Sequence, residues 1–445
     1  MTKIPPQPWM EEPATRRLIE ALARGGITAR FVGGCVRDAL LAPGLSRPIA
    51  DIDLATPARP EEVAAALDKA GIKVVPTGIA HGTVTAVVPP RHYEITTLRR
   101  DVETDGRHAR VAFDADWAED AARRDFTINA IYLDPDGTVH DPVGGRADLA
   151  AGRVRFVGDP PTRIAEDVLR VLRYYRFAAR FGNGDPAARA ACRAAVPLLP
   201  KLSAERVAHE LTGLLGVENP VPALRMMAQD GVLAAILPEA TRLDRLEKLI
   251  AIEAPTLPRL RRGSIPPPAY PHPSLPRMRG RVREGAGEDR DGGSPDPIRR
   301  LAAFVHIDAG EALALAERLR LSSIERDRLV ALAPPWPLDP TRDARAQRHA
   351  LYRLGAERYR DLALLIAAEG GLDRVRLDEL LSLAEGWQPP VFPLSGRDVT
   401  ALGIPPGARI GELLAEVRRW WEEGDFTADR AACLARLRGI VRTPG

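Results

Sequence analysis

The sequence predicts an α+β protein in which a small mixed β-sheet at the N-terminus is followed by an all-helical remainder. Residues 1–150 mix short alternating apolar and polar runs, typical of strands, with runs of helical spacing. From Thr162 onward the apolar residues recur almost throughout with helical spacing. A chain of 445 residues exceeds one ordinary core, so roughly two to four domains are expected.

The N-terminal elements follow from local patterns. Gly33-Gly34 separates the first strand from a short helix that begins near Arg37, and a Asp-Pro-Asp-Gly turn indicates a hairpin within Ala130–Pro142. The other predicted elements are strands at Ile27–Val32, Ile49–Thr56, Gly82–Val88 and His92–Leu98, and a helix at Pro60–Ala70.

The rest of the chain consists of predicted helices and one segment of different composition. Arg163–Gly182 is predicted to be one helix that Gly182 ends. Ala254–Pro297 is dense in Pro, Gly and Arg and has no apolar period, so we expect a disordered insertion there, with a basic RNA-gripping arm as the alternative. The predicted domains are a head at 1–150, a helical neck at 151–216, and a helical body and tail at 217–253 and 298–445.

Bulk composition bears on whether nucleic-acid or membrane partners are expected. The net charge is +3, from 63 basic and 60 acidic residues, and this balance does not by itself require a nucleic-acid partner. The basic residues are almost all arginine, which suits phosphate contacts, although a GC-rich genome explains the same bias more simply. No run of about 18 apolar residues and no signal peptide is present, so no membrane partner is expected.

Cysteine usage bears on the compartment. Cys35, Cys192 and Cys433 are far apart and lack metal-ligand spacing. This indicates buried thiols in a reducing compartment, and we expect a cytoplasmic protein.

Asp51 and Asp53 are candidate metal ligands. Residues two apart on a strand share a face, so both carboxylates would point the same way while Ile52 packs on the other side. Two such carboxylates repel each other unless a cation lies between them. An exposed acidic strand face is the common alternative for an isolated Asp-x-Asp. The preceding Gly33-Gly34 turn and helix N-terminus, however, favour a bound phosphate, and together these features indicate a nucleoside triphosphate with magnesium.

Glu94 is a candidate third carboxylate. It lies on the face of its strand opposite Tyr93 and Ile95. Beside the Asp pair it would complete a two-metal site for phosphoryl transfer, whereas alone it would be an ordinary surface residue.

Four segments in order carry a family resemblance. They are GGCVRD with IADIDLAT, then RRDFTINAI at Arg123–Ile131, DPVGGRADL at Asp141–Leu149, and EDVLRVLRYYRFA at Glu166–Ala178. The series resembles the class II tRNA nucleotidyltransferase and bacterial poly(A) polymerase family of the polymerase-β superfamily. The resemblance covers about residues 25–215 and implies a nucleotidyltransferase head followed by a helical neck, body and tail.

The resemblance implies roles for residues of the head. Asp51 and Asp53 would hold Mg²⁺, with Glu94 as the further catalytic carboxylate. The other residues would bind the nucleotide. In the head, Gly33, Gly34 and Arg37 would bind the triphosphate. Arg124 and Asp125 would contact the sugar and phosphates, and Asn129 would help to fix the nucleotide.

The resemblance also implies a protein template in the neck. Asp167 and Arg170 are three residues apart and would pair on one helix face, and Arg173 and Arg176 continue that stripe. Such a pair would match the base edge of cytosine or adenine, whereas a salt-bridged surface helix is the alternative for an isolated segment. Glu166 and Arg206 are expected to act as structural braces.

The polar segment Thr96–Phe113 resembles the flexible loop that the family uses when specificity moves from C to A. Arg99, Asp101, Asp105 and Arg107 stand at the expected places, and Thr104 replaces the usual aromatic residue. The loop therefore argues against an enzyme that adds only CC.

The expected activity is addition of CCA to tRNA from CTP and ATP, with release of pyrophosphate. A poly(A) polymerase of the same family is the main alternative, but Thr77–Val87 lacks the arginine-rich strand entry usual in those enzymes. An enzyme that adds only the terminal A also stays open. A non-enzymatic RNA-binding scaffold is disfavoured because both aspartates are present. The sequence does not indicate an oligomeric state.

Overall fold

The computed structural model describes residues 2–41, 51–78, 82–104, 109–113, 115–254 and 295–442. Within them the strands alternate with short helices as far as residue 154, and helices predominate thereafter. The α+β class is therefore confirmed. The strands are β1 (Thr2–Lys3), β2 (Arg30–Val32), β3 (Ile52–Thr56), β4 (Lys73–Gly78), β5 (Thr83–Val88), β6 (Arg91–Thr97), β7 (Arg100–Thr104), β8 (Ala109–Ala112), β9 (Tyr132–Leu133), β10 (Thr138–His140), β11 (Arg153–Val154) and β12 (Asn183–Gly184).

The helices that accompany and follow the sheet pack their apolar faces inward. No helix in the described ranges combines the length and apolar character that a membrane span requires. The α-helices are α1 (Pro8–Glu11), α2 (Pro13–Arg24), α3 (Gly34–Leu41), α4 (Pro60–Lys69), α5 (Trp117–Ala122), α6 (Gly145–Ala150), α7 (Pro160–Glu166), α8 (Arg170–Phe181), α9 (Pro186–Ala194), α10 (Ala204–Leu215), α11 (Val221–Gln229), α12 (Val232–Ile236), α13 (Leu243–Glu253), α14 (Pro297–Val305), α15 (Ala309–Arg318), α16 (Ser323–Ala331), α17 (Ala344–Leu354), α18 (Ala356–Ala368), α19 (Arg374–Glu385), α20 (Gly396–Thr400), α21 (Ala408–Glu423) and α22 (Arg430–Arg442).

The main sheet has the strand order β1-β10-β9-β2-β3-β6-β5-β4. Its pairs are antiparallel except for β3 and β6, which are parallel, so the sheet is mixed as predicted. Alternate residues of β5 are buried, which matches its apolar and polar alternation. The predicted strand pair across Pro89-Pro90 and the hairpin within Ala130–Pro142 are both confirmed as antiparallel pairs.

The prediction of one helix over Arg163–Gly182 is wrong. The chain forms α7 and α8 instead, and Asp167 between them is extended, with φ −153° and ψ 105°. The Asp167 carboxylate accepts a hydrogen bond from the Leu169 N–H at 3.1 Å and one from the Arg206 guanidinium at 2.6 Å. These bonds replace helical ones at the break, which a local pattern cannot reveal.

A buried charge cluster joins the helices of the body. Glu253, at the end of α13, pairs with Arg299 at 2.7 Å and Arg300 at 2.8 Å, both on α14. Arg299 also pairs with Asp361 of α18 at 2.7 Å, and Arg300 donates to the Leu215 carbonyl at 2.9 Å. The cluster thus holds α10, α13, α14 and α18 together. Of the predicted insertion at 254–297, residues 255–294 lie outside the described residues.

We predict that Glu253→Gln lowers the free energy of unfolding by about 3 kcal/mol, because it leaves two buried guanidinium groups without their shared anion. Urea denaturation followed by circular dichroism measures the change. The matched control is Asp378→Asn, which removes the exposed pair with Arg374 and is expected to cost at most about 0.5 kcal/mol. Equal losses in the two variants would contradict the prediction.

Candidate functional site

The carboxylates predicted from the sequence lie on adjacent strands. In the parallel pair of β3 and β6, Asp53 lies opposite Glu94 and Ile52 opposite Tyr93. Ile52 and Tyr93 are buried on the core side, whereas Glu94 is exposed and Asp53 half-buried. Asp51 immediately precedes β3 and is exposed. Asp53 and Glu94 therefore lie side by side on adjacent strands, and Asp51 is near enough for its charge to act on both.

These carboxylates are electrostatically unfavourable as they stand. Burial, together with the negative charges of Glu94 and Asp51, raises the pKa of Asp53 to about 7, against an opposing effect of Arg124. Burial and the Asp51 charge also raise the pKa of Glu94. Within the described ranges no arginine or lysine forms an ion pair with any of the three carboxylates. A cation at this position would relieve the repulsion.

The donor set fits a magnesium ion that substrate completes. Mg²⁺ prefers oxygen ligands and is usually held by one or two carboxylates together with phosphate oxygens and water. Among the described residues, no group of three or more His, Cys, Asp or Glu side chains could enclose a metal. Asp51, Asp53 and Glu94 therefore do not enclose a metal by themselves, and an ion held by Asp51 and Asp53 would need phosphate and water as its remaining ligands.

The turn between β2 and α3 lies beside Asp53. Gly33 has φ +77°, and a Cβ built there would lie 3.5 Å from Asp53 Oδ2. The left-handed backbone, rather than lack of space, therefore calls for glycine. Gly34 begins α3, so the backbone N–H groups of the first turn lie next to the carboxylates. A helix N-terminus with glycine before it is suited to bind phosphate.

Arg37 is placed differently from the sequence prediction of a triphosphate ligand. Its side chain is 1% exposed and donates to Asp38 at 3.0 Å and to Asn129 Oδ1 at 2.7 Å. The guanidinium also lies over the rings of Phe177 and Phe181 of α8. Burial lowers the pKa of Arg37 to about 10, although the Asp38 charge opposes the shift. Arg37 thus holds α3 against α8 and fixes Asn129, and it does not face solvent.

A continuous polar chain links the head to the neck. The Asn129 amide accepts from Arg37 and donates to Asp125 Oδ1 at 3.0 Å. Asp125 in turn accepts from Arg173 Nε at 2.7 Å. Arg173 and Arg176 both pair with the buried Glu210 of α10, at 3.6 Å and 2.5 Å. Several predicted site residues are therefore brought together, although in this structure they bind one another.

Arg124 lies between the Asp pair and a buried carboxylate. It pairs with Asp120 at 3.0 Å, and its guanidinium lies 5.3 Å from the ring centroid of Tyr132. It is also one of the charges that act on Asp53. Its side chain is 17% exposed, against 1% for Arg37, so of these two arginines of the head Arg124 is the one that solvent reaches.

The predicted template residues do not pair with each other. Asp167 pairs with Arg206 at 2.6 Å, whereas Arg170 pairs with Glu166 at 2.5 Å and donates to the Arg163 carbonyl at 2.6 Å. The expected pairing of Asp167 with Arg170 on one helix face is therefore wrong, since Asp167 lies outside the helix. The bracing roles expected of Glu166 and Arg206 match these contacts.

Sequence reasoning missed two buried carboxylates of the site. Asp120 lies three and four residues before Arg123 and Arg124, a helical spacing that would have revealed its pairing. Glu210 lies 34 residues after Arg176, and no local signal connects them.

Within the predicted flexible loop, β7 and β8 form an antiparallel pair, while residues 105–108 lie outside the described residues.

Two family models match the chain. The Poly A polymerase head domain matches residues 29–155. The model described as the probable RNA and SrmB- binding site of polymerase A matches residues 185–243.

Curated relatives extend the similarity to almost the whole chain. It is 30% identical over 440 residues to the mitochondrial CCA tRNA nucleotidyltransferase 1 of Mus musculus, covering 95% of this chain and 89% of that protein. It is 39% identical over 237 residues to the CCA-adding enzyme of Geobacillus stearothermophilus, covering 53% and 56%. The crystal structure of the Bacillus stearothermophilus CCA-adding enzyme in complex with CTP superposes with a TM-score of 0.68 at 28% identity, covering 97% of this chain and 98% of that one.

The pairing of Asp125 with Arg173 makes a prediction about acid stability. Burial alone would raise the pKa of Asp125, but the Arg173 charge and hydrogen bonds from Asn129, Arg173 and the Phe126 N–H hold it well below its usual range. The stabilisation is therefore complete above the unfolded-state pKa, about 3.9, and is lost as the pH falls from there toward the folded-state value.

We predict that the wild type is more stable than Asp125→Asn at pH 5 and that this difference shrinks between pH 4 and pH 2. Urea denaturation of both proteins at each pH measures the difference. A difference in the free energy of unfolding between the two proteins that does not change with pH would contradict the pairing of Asp125 with Arg173.

Proposed function

Since the chain belongs to the class II tRNA nucleotidyltransferase family, we propose that it adds C, C and A in turn to the 3′ end of tRNA, using CTP and ATP and releasing pyrophosphate. The observation that carries the proposal is the parallel register of β3 and β6. It sets Asp53 opposite Glu94 beside the Gly33 turn, so that metal ligands and a phosphate site adjoin.

We assign the divalent metal to Asp51 and Asp53, with Glu94 as the neighbouring carboxylate. When bound, such an ion supplies positive charge that lowers the pKa of a hydroxyl and neutralises a triphosphate. In the proposed reaction the tRNA 3′-hydroxyl oxygen bonds to the α-phosphorus of the nucleotide. The bond between the α-phosphorus and the bridging oxygen breaks, pyrophosphate leaves with that electron pair, and the hydroxyl proton passes to solvent water.

The triphosphate is proposed to lie between the Gly33-Gly34 turn and Arg124. The N–H groups at the start of α3 donate to phosphate oxygens, and Arg124 adds charge from the opposite side. Arg37 acts indirectly, because it is buried and fixes Asn129. Asp125, held by Asn129 and Arg173, is proposed to face the ribose, where an acceptor for hydroxyl groups favours ribonucleotides.

The base is proposed to be selected in the neck by Asp167 and Arg170, with Arg173 and Arg176 behind them. A carboxylate accepts from the amino group of cytosine or adenine, and a guanidinium donates to a ring nitrogen or carbonyl. Asp167 and Arg170 are engaged with Arg206 and Glu166, so binding of the base requires them to exchange partners. The braces keep both side chains near their working positions until then.

The helical body and tail are proposed to bind tRNA by its shape, through arginine contacts to the phosphate backbone. The match of residues 185–243 to an RNA-binding model supports this role.

Poly(A) synthesis is the second candidate activity, because the family model that matches the head is named for poly(A) polymerase. A cytoplasmic location remains our expectation from the sequence.

The test is extension of a tRNA transcript that lacks its 3′ CCA, with CTP alone, ATP alone, or both, read at single-nucleotide resolution. We expect two nucleotides added with CTP, and three with both. Addition of A only, or of a long A tail, would identify the alternative activities.

The variants Asp51→Ala and Asp53→Ala are expected to lose nucleotide addition while tRNA binding, measured by filter retention, survives. Substantial residual addition would contradict the metal assignment.

Arg170→Ala is predicted to weaken selection among nucleotides more than affinity for the triphosphate, because the lost guanidinium contacts the base. The ratio of kcat/KM for CTP or ATP over that for UTP and GTP is expected to fall by about tenfold, the effect of one lost hydrogen-bond interaction of about 1.4 kcal/mol. Steady-state extension with each nucleotide measures the ratio. Arg193→Ala, on an exposed face of α9, is the control. Unchanged selectivity would remove Arg170 from base selection.

A further inference from the structure

Asp120 is a buried carboxylate at the end of α5, and no step of the proposed reaction uses it. It is 1% exposed. Its oxygens accept from Arg123 Nε at 2.8 Å, from Arg124 Nη2 at 3.0 Å and from the Tyr132 hydroxyl at 2.7 Å. The Arg99 N–H also lies 3.5 Å from Asp120 Oδ1. Among the residues that the structure describes, the side chains that bind this carboxylate come from the segment just after it and from the neighbouring strand β9.

The contacts of Arg124 are asymmetric. Its Nε and Nη2 face Asp120, whereas Nη1 makes no hydrogen bond within the described residues. The Tyr132 ring lies against the Arg124 guanidinium, and the Tyr132 hydroxyl accepts from Arg124 Nε at 3.4 Å and donates to Asp120, so tyrosine and carboxylate together fix the orientation of the group. A guanidinium held along one edge presents its opposite edge to a further acceptor.

The surroundings indicate what that acceptor is. Tyr132 of β9 lies opposite Val32 of β2, and Val32 lies opposite Asp53 of β3. The guanidinium over Tyr132 is therefore near the metal carboxylates and the glycine turn, in agreement with the effect of its charge on Asp53. A metal-bound triphosphate is the anion that this region is proposed to hold. Burial would raise the pKa of Asp120, but the charges of Arg124 and Arg123 and the Tyr132 hydrogen bond lower it, so the carboxylate stays ionised as an anchor.

We propose that Asp120 is a positioning residue that orients Arg124 so that its Nη1 edge meets the β- or γ-phosphate of the incoming nucleotide. The inference rests on the proposed function, since it requires Arg124 to bind the triphosphate. It adds that the orientation of Arg124, and not only its charge, is built into the fold of the head.

A positioning role and a purely structural role predict different results. Loss of a buried anion between two arginines lowers stability in either case. Only a positioning role weakens binding of a nucleoside triphosphate while leaving the monophosphate unaffected, because the monophosphate lacks the phosphates that Arg124 would contact. Asp148 provides the matched control. It is also fully buried in the head and pairs with two arginines, Arg153 and Arg155, but the proposed triphosphate site does not include it.

The experiment compares equilibrium dissociation constants for CTP and CMP in the wild type, Asp120→Asn and Asp148→Asn, by isothermal titration calorimetry with magnesium. Asp120→Asn is expected to weaken CTP about tenfold or more, as for loss of one oriented charged contact, with CMP unchanged. Asp148→Asn is expected to lower the thermal midpoint without changing the CTP to CMP ratio. An unchanged ratio in Asp120→Asn would overturn the proposal.

Arg124→Ala separates failure of this inference from failure of the proposed triphosphate site. If Arg124→Ala leaves CTP affinity intact, the triphosphate assignment itself is wrong. If Arg124→Ala loses CTP affinity and Asp120→Asn does not, only the positioning role is wrong. In the double variant, Asp120→Asn is expected to add no further loss to Arg124→Ala, whereas an additive loss would contradict the proposal.

Asp120→Glu covers the case in which Asp120→Asn does not fold. It keeps the charge and moves the carboxylate by one methylene group. It is expected to weaken CTP binding with CMP unchanged, and normal CTP affinity in a folded Asp120→Glu protein would overturn the positioning role.

Discussion

The ion pair between Asp125 and Arg173 is the interaction on which the organisation of the site depends. Asp125 follows the head helix α5, and Arg173 lies on the neck helix α8, 48 residues later. Asp125 is bound on its other side by Asn129, which Arg37 holds in turn. Because Arg37 and Asn129 are buried and Asp125 is nearly so, loss of one group leaves its neighbour without a partner in a region of low dielectric. The proposed nucleotide site therefore depends on the contact between head and neck.

This constraint assigns the two ends of a nucleotide to different parts of the fold. The carboxylates and the glycine turn belong to the sheet, so the triphosphate end would be held by the head. Asp167 lies in the break between α7 and α8 and Arg170 begins α8, so the base end would be held by the neck. Asp125 lies where the two parts meet, which is where a ribose between base and phosphates would lie. Rigid docking thus sets the distance between the two ends.

The sequence was most informative where the determining contacts are local. The carboxylate face of Asp51 and Asp53 follows from strand alternation, and Gly33 from the turn that the chain must make there. The break at Asp167 was not predictable, because Arg206, from a later helix, stabilises it against a strong helical pattern. The burial of Arg37 also depends on distant residues, since its stacking partners Phe177 and Phe181 come from α8.

The carboxylates of the head fall into two groups by the direction of their pKa shifts. Asp120, Asp125 and Asp148 have arginine partners, and despite burial their pKa values lie below the usual range. Asp53 and Glu94 are shifted upward, because burial and neighbouring negative charge act on them without an ion-paired arginine.

The fold supplies arginine partners to Asp120, Asp125 and Asp148 but, among the residues that the structure describes, no ion-paired arginine to Asp53 and Glu94. The region of the sheet around Asp53 and Glu94 is therefore short of positive charge. Groups whose environments separate their pKa values in this way mark functional positions. The missing charge is what a divalent cation would bring, and the adjacent Gly33 turn is where the phosphates of the proposed substrate would lie. The same electrostatic contrast explains why Arg124 is shared: Asp120 binds one edge of its guanidinium, and its charge still reaches Asp53.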